Sequence, residues 1–289
     1  MKNKILITGS DGFLGSNFIK KFKKKYTFLQ YDKKSGKDLT KIKKFPNTDI
    51  VLHLAAFNST KDFYTNPTEV IKSNFLTTFN LINYYKDKNK KILFVFAGTP
   101  ESASGAVDLY KYKIPTDEKV PFVIPDLNNP RWSYAASKSL CELMLIHSGL
   151  KYIIIRPHNV YGPRQKNHFV PEFLDRCKKN KKVKLFGWKN KRSWLYIDDF
   201  CNALDKVLTS KKTIGEIINI GSNFEHTILD VAKEIIKQKF NNDRVITKMK
   251  APEGSTMRRV PDINKIKKLT GWTPTVNLKI GISKLLNEI

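Results

Sequence analysis

The chain has 289 residues, of which 40% are hydrophobic, and it carries a net charge of +27 at pH 7. No apolar run approaches the roughly 20 residues that a membrane helix needs, and the start of the chain has no long apolar signal region, so we expect neither a membrane protein nor a secreted one. The three cysteines are unclustered and lack metal-ligand spacing, which favours a reducing cytoplasm over a disulfide scaffold and indicates no metal site.

The positive charge is mostly lysine, spread in small groups along the whole chain rather than gathered in an arginine-rich arm. The basic groups are also not interleaved with aromatic side chains that could stack on bases. This distribution indicates a biased composition, and it is compatible with an anionic substrate. Nucleic acid is therefore not an expected partner.

The first half of the chain alternates short β-branched runs with helical patterns, which is typical of βαβ units and a parallel sheet. The predicted strands cover residues 5–8, 27–31, 50–54, 92–97 and 152–156, and the predicted helices cover 13–22, 67–85 and 133–147. Beyond residue 157, prolines and glycines interrupt the pattern, and strand-like runs at 183–186 and 217–220 lie among short helices.

A glycine-rich segment follows the first predicted strand directly, and residues 8–15 read Thr-Gly-Ser-Asp-Gly-Phe-Leu-Gly. Glycines at this place allow a tight turn and let backbone amides approach a pyrophosphate, while the helix that opens next offers its positive end. The spacing is G-x-x-G-x-x-G rather than the commoner G-x-G-x-x-G. We assign this loop to a dinucleotide, with contacts from Gly9, Asp11, Gly12, Phe13, Leu14 and Gly15.

Asp32 follows the second predicted strand directly, 17 residues beyond Gly15. A carboxylate there can accept hydrogen bonds from both ribose hydroxyls and would repel a 2′-phosphate, which favours NAD over NADP. A turn role for Asp32 is the alternative, and the adjacent Lys33 and Lys34 leave NADP open.

We predict an α/β fold with a Rossmann-like doubly wound parallel sheet. Residues 1–156 are expected to form the NAD-binding domain and 157–289 mainly a smaller C-terminal substrate-binding lobe. From this lobe, the segment at about 193–220 is expected to return to the sheet.

A tyrosine and a lysine, Tyr134 and Lys138, are spaced four residues apart. With this pair and the glycine loop, the chain resembles the extended short-chain dehydrogenase/reductase family, and within it the nucleotide-sugar epimerases and dehydratases. The resemblance covers nearly the whole chain. Its further motifs are His-Leu-Ala-Ala at 53–56, Asn-Phe-Leu-Thr-Thr-Phe-Asn-Leu at 74–81, Ser-Tyr-Ala-Ala-Ser-Lys at 133–138, Arg-Pro-His-Asn-Val-Tyr-Gly-Pro-Arg at 156–164, Arg-Ser-Trp-Leu-Tyr-Ile-Asp-Asp at 192–199, Arg-Arg-Val-Pro-Asp-Ile at 258–263 and Gly-Trp-Thr-Pro at 271–274.

The resemblance implies a catalytic set of Tyr134, Lys138 and Thr99. Tyr134 would take the proton from a sugar hydroxyl while a hydride leaves the same carbon for NAD. Lys138 would hold the nicotinamide ribose, and its ammonium is expected to lower the pKa of Tyr134. Thr99 would donate a hydrogen bond to the reacting oxygen, although it could simply end a strand before proline. The further cofactor contacts implied are Leu54, Ala55, Ala56, Asn74, Ala97, Tyr134, Lys138 and Pro157.

One departure from the family pattern bears on the reaction. The 4,6-dehydratases that the chain resembles have Thr-Asp-Glu where this sequence has Thr99, Pro100 and Glu101, and there the Asp is the acid for the departing hydroxyl. Proline cannot donate a proton, so we predict epimerisation through a transient 4-keto sugar, at C4. Glu101 is then a substrate contact, either a loop carboxylate or a base for a neighbouring carbon. A 4,6-dehydratase, a 4-keto reductase and a 4-oxidase stay open, and residues 102–113 are expected to form a loop that shapes the pocket.

The family's substrate, a nucleotide-diphosphate sugar, needs cations in the second lobe. The resemblance gives that role to Arg192 and Arg258, with Arg259 as the alternate if the register shifts by one, because guanidinium groups match phosphate oxygens in geometry and charge. Asn159 would contact the sugar nucleotide. Ordinary surface arginines and a turn asparagine are the competing explanations.

Two further expectations come from the resemblance. Relatives form homodimers through the helices that correspond to 67–85 and 133–147, and this role competes with burial inside one chain. The apolar residues expected on the shared face are Phe75, Phe79, Leu81, Ile82 and Tyr85. Some relatives bind RNA, so a basic RNA-binding protein on the same scaffold is the alternative from another class of function, although an intact glycine loop, Tyr134 and Lys138 argue against it.

Overall fold

The computed structural model describes residues 2–88, 91–251 and 255–289. The strands are β1 Lys4–Thr8, β2 Thr27–Tyr31, β3 Ile50–His53, β4 Leu93–Ala97, β5 Lys151–Pro157, β6 Val160–Tyr161, β7 Lys182–Phe186, β8 Lys191–Ser193, β9 Leu195–Tyr196, β10 Ile217–Ile220, β11 Glu225–Thr227, β12 Val245–Met249 and β13 Arg258–Arg259. The α-helices are α1 Phe13–Phe22, α2 Thr60–Thr65, α3 Pro67–Lys88, α4 Ser104–Tyr110, α5 Trp132–Ile146, α6 Phe169–Lys179, α7 Ile197–Thr209, α8 Ile228–Phe240, α9 Asn264–Thr270 and α10 Leu278–Asn287.

Six strands form one parallel sheet in the order β2-β1-β3-β4-β5-β10. The chain runs outward from β1 to β2 and then crosses back to β3, on the other side of β1. The order of the strands therefore reverses between β1 and β3. In open α/β sheets, ligands bind beyond the carboxyl ends of the strands at such a point.

Alternate residues of the strands face opposite layers of helices, as the pleat of a strand requires. Ile5 and Ile7 of β1 belong to the core that includes α1 and α7, whereas Leu6 belongs to the core that includes α3 and α5. Both faces of the sheet are therefore covered, and the central strands β1, β3 and β4 are buried along most of their length. The predicted α/β, doubly wound parallel sheet is confirmed.

Residues beyond β5 build smaller sheets around the carboxyl edge of the main one. These are the three-stranded sheet β11-β8-β13 and the pairs β12-β7 and β6-β9. The segment after α7 returns to the main sheet as β10, next to β5. The core that contains Ile5 continues into α6, α7 and α8, so one apolar core serves both regions. The division of the chain at residue 156 stays a prediction.

Two local expectations differ from the structure. Residues 102–110 are helical rather than a loop, because a short 3₁₀ helix at Pro100–Ala103 leads into α4, and the remaining residues 111–113 follow the end of α4. On α3, Leu81, Ile82 and Tyr85 are buried in the core of their own chain, and Phe75 and Phe79 alone of the five expected apolar residues are exposed. Across the described ranges, no helix has the length and apolar character needed to cross a bilayer.

Candidate active site

The glycine loop places its backbone tightly between β1, β3 and α1. Gly9 has a φ of +68°, and a Cβ there would lie 2.9 Å from the backbone nitrogen of Ala55. A Cβ on Gly15 would overlap the carbonyl oxygen of Gly9, so only glycine lets α1 begin this close to β1. Gly12 precedes α1, whose first turn has no side-chain cap. The helix therefore presents free backbone amides, which suits an anionic group.

Asp32 lies beside this loop, at the carboxyl end of β2. Its carboxylate accepts the backbone N–H of Asp11 at 3.1 Å and that of Lys34 at 2.9 Å. A cleft of about 640 Å³ opens here, lined by Ser10, Asp11, Ser16, Ile19, Gln30, Arg164, Gln165, Lys166 and Ile289. Loop, helix end and carboxylate together fit the pyrophosphate and ribose of a dinucleotide.

The other expected cofactor contacts follow strands of the same sheet edge. Leu54, Ala55 and Ala56 come directly after β3, Ala97 ends β4 and Pro157 ends β5. Phe13 and Leu14 in α1 are partly buried against the core. Asn74 in α3 is held inside the protein, since its side chain accepts the N–H of Phe57 at 2.8 Å and donates to Ser137 Oγ at 3.1 Å.

Tyr134 stands at the start of α5, above the end of β4. Its ring stacks on that of Phe63 from α2, with 4.9 Å between the centroids and an angle of 11°. Burial, and after it the Glu101 carboxylate, raise the pKa of Tyr134, while a hydrogen bond from Thr99 and the charge of Arg259 lower it. The net direction is upward in the protein without cofactor, and the lowering expected from Lys138 together with the nicotinamide ring stays a prediction.

Lys138 is buried one helical turn further along α5. Its ammonium lies over the ring of Phe96, 4.0 Å from the centroid. Burial lowers the pKa of Lys138 to about 8, against the opposing influence of Cys141 and Glu142. Lys138 therefore remains mostly charged at neutral pH inside an apolar wall.

Thr99 occupies the turn between β4 and the 3₁₀ helix and is 2% exposed. Its Oγ accepts the N–H of Glu101 at 3.2 Å, which caps the short helix. The Thr99 hydroxyl still has its own proton to donate, and it lies near enough to Tyr134 to lower the pKa of the phenol. The catalytic role of Thr99 stays a prediction.

Glu101 is not a free loop carboxylate. Its Oε1 accepts Nη1 of Arg259 at 3.1 Å and lies 3.5 Å from Nη2 of Arg131. Burial alone would raise the pKa of Glu101, but the guanidinium groups of Arg259 and Arg131 outweigh it and lower the pKa below its usual value. We call Glu101, Arg131 and Arg259 the site cluster.

The structure places Arg259, rather than Arg258, in the site. Arg259 is opposite Arg192 in the parallel pair of β13 with β8, and its side chain is 16% exposed. Arg258 faces the other way, as alternation along a strand requires, and its 46% exposed side chain forms a two-point ion pair with Glu225. The expectation that Arg258 lies at the substrate site is therefore wrong, and the alternate residue, Arg259, takes that position.

Arg192 and Asn159 border the site cluster. Nη2 of Arg192 donates to the carbonyl oxygen of Thr256 at 2.6 Å, and burial together with the nearby Arg259 lowers the pKa of Arg192 to about 9. Asn159 accepts from Nη2 of Arg259 at 3.2 Å. Within the described part of the chain, Nδ2 of Asn159 and Nε of Arg259 are buried without a hydrogen-bond partner. Crowded guanidinium groups with spare donors suit an anionic, oxygen-rich ligand.

Sequence reasoning missed three residues of this site. Phe63 belongs to no sequence motif, and its ring comes into contact with that of Tyr134 only when the chain folds. Arg131 lies three residues before Tyr134, about one helical turn. That spacing is the signal that could have identified it, because an arginine on the same helical face as a buried active-site tyrosine needs a carboxylate partner. Asp108 lies in helix α4, where a loop was expected. The charges of Arg192 and Arg131 act to lower the pKa of Asp108, but its burial outweighs them and raises the pKa.

Comparisons with known proteins agree with this geometry. A dTDP-D-glucose 4,6-dehydratase of Dictyostelium discoideum is 32% identical over 276 residues, covering 81% of this chain and 61% of that relative, so the chain spans less than two thirds of its length. A UDP-N-acetyl-alpha-D-glucosaminuronate decarboxylase of Bacillus cytotoxicus is 28% identical over an alignment of 321 positions, covering 99% of this chain and 97% of that relative.

Among solved structures, UDP-glucose 4-epimerase from Thermotoga maritima with UDP-glucose superposes with a TM-score of 0.80 at 25% identity, covering 99% of this chain and 98% of that one. The model of the NAD dependent epimerase/dehydratase family matches residues 5–221, which include the glycine loop, Thr99, Tyr134 and Lys138. This chain therefore belongs to the NAD-dependent epimerase/dehydratase family of enzymes, and NAD is its cofactor.

Proposed function

We propose that this protein is a nucleotide-sugar epimerase that acts at C4 through a transient 4-keto sugar. The observation that carries the proposal is that neither residue directly after Thr99 can act as an acid for a departing hydroxyl. Arg259 and Arg131 lower the pKa of Glu101, so it stays ionised at neutral pH and has no proton for a departing hydroxyl. Pro100, next to it, has none either. Oxidation and reduction at one carbon need no such acid.

The proposed chemistry is divided between the cofactor and the chain. NAD, when bound, supplies hydride transfer. Tyr134 takes the proton of the C4 hydroxyl during oxidation and returns it during reduction. Thr99 donates a hydrogen bond to the same oxygen, and Lys138 holds the nicotinamide ribose. The proposed cofactor contacts are the loop 9–15, Asp32, Leu54, Ala55, Ala56, Asn74, Ala97 and Pro157.

The substrate is proposed to be a nucleoside-diphosphate sugar. Arg192 and Arg259 face the same side of the β8-β13 pair, where two guanidinium groups can bind adjacent phosphates. The spare donors of Asn159 and Arg259 point to the same ligand. The Thermotoga epimerase, whose structure includes UDP-glucose, offers a precedent for the class.

Loss of water from the sugar is the second candidate, and one observation favours it. Asp108 has a raised pKa because it is buried, so it keeps a proton to higher pH than an exposed carboxyl. It also responds to the charges of Arg131 and Arg192, which border the site cluster. Asp108 could replace the acid that Pro100 cannot supply, in which case Glu101 would be the base.

We also infer that the enzyme is a cytoplasmic homodimer. The exposed apolar residues of α3 and α5 support the dimer, because single chains seldom expose several such residues on neighbouring helices. They are Ile71, Phe75, Phe79, Leu140 and Leu143.

The test is incubation of the purified protein with NAD and UDP-, dTDP-, GDP- and CDP-sugars in D₂O, followed by chromatography and mass spectrometry. Tyr134→Phe is the matched control and should lose about 10²–10⁴-fold of the rate. A new isomer of unchanged mass without carbon-bound deuterium supports epimerisation at C4, because the hydride returns to its own carbon.

Other products would contradict the proposal in distinct ways. A product lighter by one water supports elimination and directs attention to Asp108. A product lighter by carbon dioxide places the chain with the decarboxylase relative. An isomer that carries solvent deuterium means that a proton was removed from a carbon next to the ketone, with Glu101 as the candidate base.

A further inference from the structure

A second buried ion pair lies behind the catalytic helix, outside the set of residues assigned above. Arg156 of β5 donates from Nε to Glu142 Oε1 at 3.2 Å and from Nη2 to Oε2 at 2.6 Å. The side chains are 9% and 6% exposed. We call Glu142 and Arg156 the inner pair. Its two-point geometry fixes both side chains in one orientation.

The inner pair supports the turn that carries Thr99. A Cβ on Gly98 would overlap Oε1 of Glu142, so the carboxylate lies directly against the backbone that connects β4 to Thr99. The N–H of Gly98 donates to the carbonyl oxygen of Ile155, the neighbour of Arg156 in β5. A displaced Glu142 would therefore leave this turn without its packing partner.

Glu142 also follows Lys138 by four residues on α5, which places the two side chains on one face of the helix. The titratable groups that face Lys138 are His53 from β3 and Cys141 and Glu142 from its own helix, with Arg156 of β5 behind Glu142. Burial keeps the pKa of His53 low and that of the Cys141 thiol high, so both are neutral near pH 7. Glu142 is therefore the charged group on this face of the helix that raises the pKa of Lys138 against burial.

On its other side, Arg156 connects to the substrate lobe. Its Nη1 donates to the carbonyl oxygen of Glu118 at 3.4 Å, and the Glu118 carboxylate accepts the N–H of Asn219 at 2.9 Å. The segment before Glu118 pairs with the chain that carries Arg259, since Thr116 donates to the carbonyl oxygen of Val260 at 2.8 Å. The inner pair thus sits between the catalytic helix and the strand of the site cluster.

We propose that Glu142 and Arg156 are positioning residues of the active site: Glu142 stabilises the charge of Lys138 from one helical turn away and packs against the turn that carries Thr99, and Arg156 fixes the orientation of Glu142. The proposal rests on the proposed function in so far as it treats Lys138 and Thr99 as working residues. The charge of Lys138 can nevertheless be measured without any turnover.

The first experiment follows the lysine side-chain resonances by NMR against pH, with Lys138→Met to assign the signal. Lys138 should titrate near pH 8, apart from exposed lysines near pH 10.4. In Glu142→Gln its titration should move to lower pH, because the balancing charge is gone. Glu216→Gln is the matched control. It removes an ion pair of the same 2.6 Å length, between Lys265 and the residue that precedes β10, and it should leave the titration of Lys138 unchanged. An unchanged midpoint in Glu142→Gln overturns the proposal.

A double variant, Glu142→Gln with Arg156→Met, keeps the test decisive if the single variant fails to fold, because removal of both buried charges leaves neither uncompensated. The Lys138 titration should again move to lower pH, but by less than in Glu142→Gln, because loss of the Arg156 charge behind Glu142 acts in the opposite direction. A midpoint that stays near pH 8 overturns the proposal. With substrate, kcat should fall about tenfold or more while KM changes less than about threefold, since misplaced groups slow the chemical step. If the wild type epimerises no nucleotide sugar, the proposed function fails while the NMR result still stands.

Discussion

The inner pair and the site cluster use the same chemistry, a carboxylate against guanidinium groups, and they are arranged differently. In the inner pair, each carboxylate oxygen of Glu142 has its own donor from Arg156. In the site cluster, one oxygen of Glu101 is shared between Arg259 at 3.1 Å and Arg131 at 3.5 Å, and Nε of Arg259 has no partner among the described residues. In the inner pair both carboxylate oxygens are occupied, whereas the site cluster has a spare donor and an excess of positive charge, which suits an anion.

The largest expected contrast between the two is in folding stability. Arg156→Met leaves the Glu142 carboxylate buried without its partner, which should lower the free energy of unfolding by about 3–5 kcal/mol. Arg259→Met leaves Glu101 with Arg131 as a partner and should therefore cost less than Arg156→Met. Urea unfolding of both variants at pH 7 measures the difference. Equal losses would mean that the site cluster is as much a structural element as the inner pair.

Ligand affinity should depend on the site cluster more than on the inner pair, the reverse of folding stability. It should also distinguish Arg259 from its neighbour Arg258. Arg259→Met should weaken nucleotide-sugar binding by about 100-fold, because truncation of a desolvated, hydrogen-bonded charge at a binding surface costs about 2–5 kcal/mol. Arg258→Met breaks an exposed pair and should change binding less than about threefold. Calorimetric titration of the two variants, each loaded with NAD, measures both constants. Greater sensitivity at Arg258 would restore the original expectation from the sequence.

The parts of this molecule that could be predicted from sequence are those with local causes. Residues 13–22 and 27–31 were predicted as a helix and a strand and form α1 and β2 with the same bounds, since hydrophobic periodicity and the glycine loop define them. The small residues of α4 carry no such periodicity. That helix forms against a distant segment, where a Cβ on Gly105 would overlap the carbonyl oxygen of Val123.

The site shows the same limit at single residues. Which of two adjacent arginines faces the pocket depends on the register of the two-residue strand β13 with β8, and no local pattern fixes that register. The partnership of Glu101 with Arg259 spans 158 positions of sequence. Motifs therefore located Thr99 and Tyr134, while the charge around them became visible only in the folded chain.

The smallest expected effect is a shift in pH dependence. The Glu101 carboxylate raises the pKa of Tyr134, and Arg259 lowers it. Glu101→Gln removes the negative charge and frees the positive one, so both changes lower the pKa of Tyr134. Tyr134 must be deprotonated to accept the hydroxyl proton, so the acidic limb of the kcat/KM profile should move to lower pH, by about one unit at most. Glu225→Gln, which removes the partner of Arg258, should leave the limb in place. A limb that stays fixed in Glu101→Gln would show that the site cluster does not set the proton affinity of Tyr134, and its role would then be confined to binding.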